Sequence, residues 1–440
     1  MRNHYHISWQ ADRFLIKGDM EEQVAKLDAN GFFKDLLNLP NRRCVDFLRI
    51  AAATYMVDRI CRRRIRVNNE CGTRDLHITF EVEDTGFWQQ ADIVASVAEI
   101  IQFLTGDDWM IKFSAAKQES GNINQHGYLR LAPFTPDRVG MYSGGLDSAA
   151  GLANRFLGGK QFLLVTVDHQ SGLHSRVKKQ LKALSQVLQN NGLGAPVSEH
   201  STLKVSLVAG KSKHMGTQEK TQRSRAFLFS AAAMIAASAY DVEVIEMFEN
   251  GVGAINLPLM SGMLGNNLAT RGSHPTFLGM MSTLSSKVAE RQIRFELPFE
   301  SVTKAEMVQE LNGVTGLAAW ALTSRSCVHS SIRIKGRPQC GQCPACIERR
   351  QAFRVAGVEE DVGDYLVDIF SEGALGQVGA DYFKLYRLDA LDWLEDSDKP
   401  KRRLERHLQL TGLTDKLFAN TAKLQVKHSR EIIEVFGSPF

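Results

Sequence analysis

The stretch "VGMYSGGLDSAAGLANRF", residues 139–156 of a 440-residue chain, sets a pair of adjacent glycines between a short apolar run and an alanine- and leucine-rich segment. Val139–Tyr142 reads as a short buried strand, and the residues from Ala149 to Phe156 read as a helix lying against a sheet. The turn between them is Ser143-Gly144-Gly145-Leu146-Asp147-Ser148. Adjacent glycines remove Cβ atoms where backbone must come close to a ligand, and the helix N-terminus behind them offers unpaired N–H groups and a positive dipole end. That combination suits a phosphate. A plain βα turn with Asp147 or Ser148 as N-cap would use the same residues. The Walker A loop is excluded, because its lysine is missing.

The full string matches SGGxDS and so resembles the pyrophosphate loop of the PP-loop ATP pyrophosphatases, which cleave ATP between its α- and β-phosphates. The resemblance implies that Ser143, Gly144, Gly145 and Ser148, with Leu146 in the same loop, bind the pyrophosphate portion, and that Asp147 helps to place Mg²⁺.

From about residue 136, strand and helix patterns alternate. "QFLLVTVDHQ" (161–170), a helix from Ser175 to Gln189, "PVSEHSTL" (196–203), an alanine-rich helix from Glu219 to Ala239 and "VEVIEMFENG" (242–251) follow one another. This grammar predicts an α/β fold with a doubly wound parallel sheet, whose ligands bind at the carboxyl ends of the strands. Val167 is followed there by Asp168 and His169, near where an adenosine should lie, although simple strand termination is the plainer reading. Arg223 and Arg225 fall in the early turns of the alanine-rich helix, where they do not complement the dipole. A phosphate partner would rationalise them, and solvent exposure is the simpler account. Glu249 and Asn250 in "ENGVGAINLP" (249–258), and Arg271 and His274 in "NNLATRGSHPTF" (266–277), are candidates for contacting a polar second substrate.

With 44% hydrophobic and 23% charged residues the composition is that of an ordinary globular protein, and a net charge of +4 is too mild to indicate nucleic-acid binding. The clusters "CRRRIRV" (61–67) and "KPKRRLERH" (399–407) read as solvated faces. "AFLFSAAAMIAASAY" (226–240) falls short of the ~20 residues that span a bilayer, and the N-terminus has no basic-then-apolar leader, so a cytoplasmic location is expected. Residues 1–135 read as an additional N-terminal α+β domain of unknown role, on the strength of "RDLHITFEVED" (74–84), "DIVASVAEIIQFL" (92–104) and "DWMIKFSA" (108–115). Residues 136–325 would form the ATP-binding α/β domain, 326–365 a zinc-binding segment and 366–440 a charged helical extension.

Four of the seven cysteines lie in "SCVHSSIRIKGRPQCGQCPACIERRQAF" (326–353). Cys327, Cys340, Cys343 and Cys346 have the spacing C-x12-C-x2-C-x2-C, and Gly341 and Pro344 favour the tight turns that let thiolates converge. A closed Cys₄ set points to structural zinc, with an iron–sulfur cluster as the competitor. An odd total of cysteines argues against a disulfide scaffold.

Together with the glycine loop and "LPFESVTKAEMV" (297–308), this cluster resembles the 7-cyano-7-deazaguanine synthase (QueC) family over roughly residues 138–360. The resemblance implies ATP, Mg²⁺ and Zn²⁺ as cofactors. It implies the four cysteines as zinc ligands, Lys304 as the lysine of a P-x5-K segment, and Arg223 or Arg225 as an ATP-site arginine. Enlarged at both ends, the chain looks similar to the QueC-like proteins of bacterial anti-phage defence operons, the QatC type. The expected function is ATP-dependent adenylation of a 7-deazaguanine-type carboxylate for attack by ammonia or a protein amino group. Asp147, Lys304 and Arg225 would be catalytic, and Val167, Asp168 and Arg223 would join the loop in binding ATP. Partners would be ATP, a deazaguanine-like small molecule and an acceptor or defence-operon protein. A PP-loop enzyme acting on tRNA and a non-catalytic, zinc-stabilised nucleotide sensor stay open as alternatives.

Overall fold

Strand and helix alternate where the apolar spacing predicts. The computed structural model describes every residue except 1, 20–21, 39, 64–71, 118–134, 170–171, 195–198, 209–217, 220–222, 260–269, 330–334, 372, 374, 414–415 and 438–440. Residues 220–222 of the expected alanine-rich helix and 266–269 of the 266–277 segment therefore lie outside the described residues, and the helix itself begins at Arg225 rather than at Glu219. The chain begins with strands β1 Arg2–Gln10, β2 Arg13–Gly18 and β3 Glu22–Asp28, then helices α1 Asn30–Lys34 and α2 Arg42–Ile60. Next come β4 Asp75–Val82, α3 Thr85–Trp88, α4 Ala91–Thr105 and β5 Asp108–Ala115.

The alternating region runs β6 Arg138–Met141, α5 Leu146–Leu157, β7 Phe162–Asp168, α6 Leu173–Asn190, β8 Glu199–Leu207 and α7 Arg225–Ala239. It continues with β9 Val244–Met247, α8 Gly251–Ile255, α9 Pro275–Ala289 and β10 Arg294–Glu296. Helices α10 Lys304–Gln309, α11 Leu317–Ala321 and α12 Pro344–Val355 follow. The C-terminal part is helical, with α13 Gln377–Leu394, α14 Asp398–Leu410 and α15 Lys416–Phe436. No described helix is long and apolar enough to cross a membrane.

The ten strands form one sheet in the order β10-β9-β6-β7-β8-β3-β2-β1-β4-β5. From β10 to β8 every pair is parallel. The sheet as a whole is mixed rather than parallel throughout, because β8–β3, β3–β2 and β2–β1 pair antiparallel. Only Ala11 and Asp12 separate β1 from β2, and a connection that short joins antiparallel neighbours. The N-terminal strands thus continue the same sheet across the β3–β8 pairing, Ala25 opposite Leu207.

Alternate residues of β7 face opposite sides. Leu163, Val165 and Val167 enter a core shared with α2, α4, α7 and α9, whereas Phe162 and Leu164 enter one shared with α5, α6 and α10–α12. Strands β7 and β8 add to one side of β6 and β9 and β10 to the other, so the winding reverses at β6, the kind of point outside whose carboxyl end open α/β sheets bind ligands.

A buried ion network ties the N-terminal helices to α7. Asp58, near the end of α2, accepts from Arg74 Nη2 (2.6 Å) through Oδ1 and from the Ser224 N–H (3.0 Å) and hydroxyl (2.9 Å) through Oδ2. Arg63 and Arg74 also share Asp107 Oδ2, each at 2.5 Å. Burial opposes the Asp58 charge, yet Arg74 and Arg63 hold its carboxyl below the usual range. Asp58→Ala would leave two buried guanidinium groups leaning on Asp107 and the Ser224 donors unpaired, and its cost is expected at about 3–5 kcal/mol. Removing the half-buried Asp12 that pairs with the solvated Lys26 should cost far less. Urea unfolding of both variants measures the difference, and equal losses would contradict this account.

Candidate functional site

The glycine loop leaves β6 at Tyr142, whose buried hydroxyl donates to Gln180 Oε1 (2.7 Å). Gly144 has φ +73°, a conformation strained for any side chain, and a Cβ there would lie a tight 3.1 Å from Val177 Cγ2. Gly145 is the N-cap of α5 and supplies no side-chain cap, which leaves the first amides of the helix facing the crevice without one. Ser148 Oγ donates to Gly145 O (3.0 Å) and lies 3.2 Å from Ser143 Oγ, and the Gly145 N–H donates to Ser143 Oγ (3.3 Å). Leu146 is buried in the core, so its side chain anchors the loop and only its backbone faces outward chemistry.

Asp147, in the first turn of α5, is where distant parts of the chain converge. Its Oδ1 accepts from Asn250 Nδ2 (2.8 Å), and its Oδ2 lies 3.1 Å from Lys304 Nζ. Asn250 Nδ2 also reaches Glu249 Oε1 (3.1 Å), while Asn250 Oδ1 caps α8 by accepting from Gly253 N. Lys304 is 9% exposed and donates to Glu348 Oε2 (2.8 Å) on α12. Glu348 Oε1 accepts in turn from Tyr386 Oη (3.0 Å) on α13.

The electrostatics of this cluster are those of a buried cation amid carboxylates. Burial opposes the Lys304 charge, but Asp147, Glu348 and Glu249 outweigh it and hold the ammonium above the ordinary lysine range. Burial, and then the charges of Asp147 and Glu348, push Glu249 well above the usual carboxylate range. Of these residues, Glu348 and Tyr386 escape the sequence reading: the first hides between a metal-ligand motif and a basic pair, the second in a charged helix.

At the carboxyl end of β7, Asp168 keeps a buried Oδ1 without a hydrogen-bond partner. The Val167 side chain lies in the core, and its carbonyl accepts from the His169 N–H (3.1 Å) and Nδ1 (3.0 Å). That fixes His169 as the Nδ1–H tautomer, with Nε2 facing Arg225 Nη1 at 3.5 Å. Burial, then Arg225, push His169 down to about 3, so it is neutral. No described carboxylate pairs with Arg225, whose pKa burial lowers. Tyr55, from α2, lies edge-on to His169 at 6.4 Å. Arg176 feels burial, repulsion from Arg325 and attraction to Asp168, which gathers two further cationic groups at this rim.

Arg223 behaves differently. It is 9% exposed and donates from Nη1 to Thr105 O (2.8 Å), the last carbonyl of α4, complementing that helix's negative end. Arg271 and His274 also take other partners. Arg271 stacks on Phe103 at 5.0 Å and donates to its carbonyl, and His274, fully buried, caps α9 and packs edge-on to His407 at 5.6 Å. No described contact joins Arg223, Arg271 or His274 to the Asp147–Lys304 cluster.

The four cysteines converge, with all Sγ atoms within 4.8 Å of one another. Gly341, at φ +83°, makes the turn between Cys340 and Cys343, and Pro344 starts α12 directly after Cys343. The backbone N–H groups of His329 and Cys343 point at Cys327 Sγ (3.4 Å) and Cys340 Sγ (3.3 Å), as suits thiolates. Such a closed, nearly buried set fits a tetrahedral zinc with no open position. Two residues before Cys327, the Arg325 N–H donates to Gly144 O (3.0 Å), which ties the cysteine segment to the glycine loop.

A family model described as "Queuosine biosynthesis protein QueC" matches residues 272–357, the span that holds Lys304, Glu348 and the cysteines. The chain is 24% identical over 230 residues to the 7-cyano-7-deazaguanine synthase of Rhizobium johnstonii, covering 50% of this chain and 87% of the relative. It is 24% identical over 228 residues to the 7-cyano-7-deazaguanine synthase of Brucella anthropi, covering 50% and 89%. These likenesses support a QueC-like chain.

Elemental analysis of the purified protein should find about one zinc per chain. Cys343→Ser should lose the metal and lower the unfolding temperature, and an unchanged midpoint in metal-free protein would contradict a structural site. A separate prediction concerns pH. Burial holds His274 near 3 and His407 near 4 in the folded chain, against an ordinary 6.5. Their neutral burial is free of penalty above pH 6.5 and loses stability below it, because only the unfolded chain then takes up protons. By pH 5 the loss should be on the order of 1–2 kcal/mol per histidine, and His407→Gln should flatten the fall of melting temperature between pH 7.5 and 5.

Proposed function

We propose that this protein is an ATP-dependent, C–N bond-forming enzyme of the QueC type, with a PP-loop fold over residues 136–325, that adenylates a 7-deazaguanine-type carboxylate. One observation carries the reading: Lys304, inside the segment that matches the family, lies 3.1 Å from Asp147 of the glycine loop, which is outside that segment. A lysine shared between the glycine loop and a carboxylate cluster would meet a triphosphate bound on that loop.

The β- and γ-phosphates would lie on the amides of Gly144–Ser148, with Ser143 and Ser148 adding hydroxyl donors. The excess of carboxylate over ammonium around Asp147 and Glu249 suits Mg²⁺ arriving with the nucleotide. A substrate carboxylate oxygen attacks the α-phosphorus, the bond to the bridging oxygen breaks, and pyrophosphate leaves with that electron pair. An amine then attacks the acyl carbon of the adenylate and AMP departs. Arg225, with only a neutral histidine beside it, would receive the α-phosphate or the substrate carboxylate. Arg176 and Arg325 would find between them the anion that relieves their repulsion. Asp168, with its buried unbonded oxygen, would take a donor from the adenosine. Glu249 and Asn250 remain the substrate-side candidates, being beside Asp147; Arg271 and His274 would act only from further out. The zinc is assigned a structural part, since all four cysteines are used as ligands.

The chain is longer than the relatives it covers almost completely, and that surplus supports the finer reading of a defence-type, QatC-like enzyme whose acceptor amine is a protein amino group. The test is release of AMP and pyrophosphate from ATP with and without 7-carboxy-7-deazaguanine. Both products should appear only with the acid, and Asp147→Ala should lower kcat by about 10²–10³-fold. A mass increase on a candidate acceptor protein would identify the amine. ATP that binds without turnover in the presence of the acid would contradict the proposal and favour a nucleotide sensor.

A further inference from the structure

The C-terminal helices reach the Lys304 cluster through α8, α10 and α12. Tyr386 on α13 donates to Glu348 Oε1 (3.0 Å), and the other oxygen of that carboxylate holds Lys304 Nζ (2.8 Å). On α15, Glu431 Oε1 accepts from the fully buried Thr303 hydroxyl (2.6 Å), and Thr303 is the N-cap of the helix whose first residue is Lys304. Glu431 Oε2 accepts from Gln351 Nε2 (2.7 Å) on α12, three residues after Glu348, and Lys427 pairs with Glu306 of the same capping box. Helix α15 also packs on α8, which follows Glu249 and Asn250, and Ile255 and Leu257 share a core with Trp393, Leu404 and Leu408 of α13 and α14.

A surface tail docked for stability alone needs apolar burial. It does not need a phenol donor on a carboxylate that is already paired with a buried lysine. Holding a carboxylate by both oxygens removes its rotational freedom, and so fixes the point at which the ammonium sits. We propose that the C-terminal helices are an integral part of the reaction centre, and that Tyr386 is a positioning residue that acts through Glu348 on Lys304. The inference rests on the reading of Asp147 and Lys304 as the ATP-activating pair and adds a part of the chain to it.

The experiment is a double-mutant cycle on the full-length protein, read by steady-state pyrophosphate release and by acylation of Lys304. Tyr386→Phe should lower kcat by about 10-fold with the KM for ATP within about twofold, the usual size of an outer-shell loss. In a Glu348→Ala background the same change should have no further effect, because the carboxylate it addresses is gone. Tyr382→Phe, one turn earlier on α13, should behave as wild type. Acylation of Lys304 by a small succinimidyl ester, followed by peptide mass spectrometry, should be several-fold faster in Tyr386→Phe than in wild type. Wild-type protein that releases no pyrophosphate, together with that rise in acylation, would remove the functional reading and support the positioning. Tyr386→Phe with wild-type kcat and wild-type acylation would overturn the positioning and leave the functional reading standing. An equal loss in both backgrounds, with a lowered melting temperature, would also overturn it by showing a purely structural role.

Discussion

A lysine ammonium buried among carboxylates is the constraint on which the site depends. Lys304 is 9% exposed, so its charge must be met by ligands inside the protein, and Asp147 and Glu348 meet it at 3.1 and 2.8 Å. Each partner stands on a different helix, which forces α5, α10 and α12 into one register. The pair exceeds what one cation can satisfy, and Glu249 beside it carries the strain as a raised pKa. On the proposed reading, a metal ion arriving with a polyphosphate would offset this surplus of carboxylate over ammonium.

The cysteine cluster serves the same geometry from the other side. Its segment donates a backbone N–H from Arg325 to Gly144 O, and α12, which starts at Pro344 after Cys343, carries Glu348 to Lys304. A metal held by these four cysteines would therefore steady both the segment that bonds to the glycine loop and the helix that carries Glu348. The Asp58 network does comparable work at the far end of α7, where Ser224 is held directly before Arg225.

The parts legible in the sequence are those that local chemistry dictates. The strand at 108–115, the helix around 92–104 and the glycine turn announce themselves by spacing or by residues that only such a turn requires, and the cysteines by their intervals. What stayed hidden depends on distant pairing. Nothing local in "EQVAKLD" says that β3 will lie antiparallel to β8 and carry the N-terminal strands into the same sheet. The contact of Arg223 with the end of α4 spans 118 residues of sequence, and Glu348 looks like one more helix charge until Lys304 arrives from 44 residues earlier. His274, polar and two residues after a glycine in the sequence, is fully buried: it caps α9 and packs on Phe103 and His407.

The central claim is that the glycine loop and Lys304 form one nucleotide site. A crystal structure with Mg²⁺ and α,β-methylene-ATP, which resists cleavage at the bond in question, tests it most directly. The account predicts the β- and γ-phosphates on the amides of Gly144–Ser148, with the α-phosphorus facing Lys304 and Arg225. A nucleotide bound elsewhere, or phosphates on the loop with Lys304 turned away from them, would contradict it.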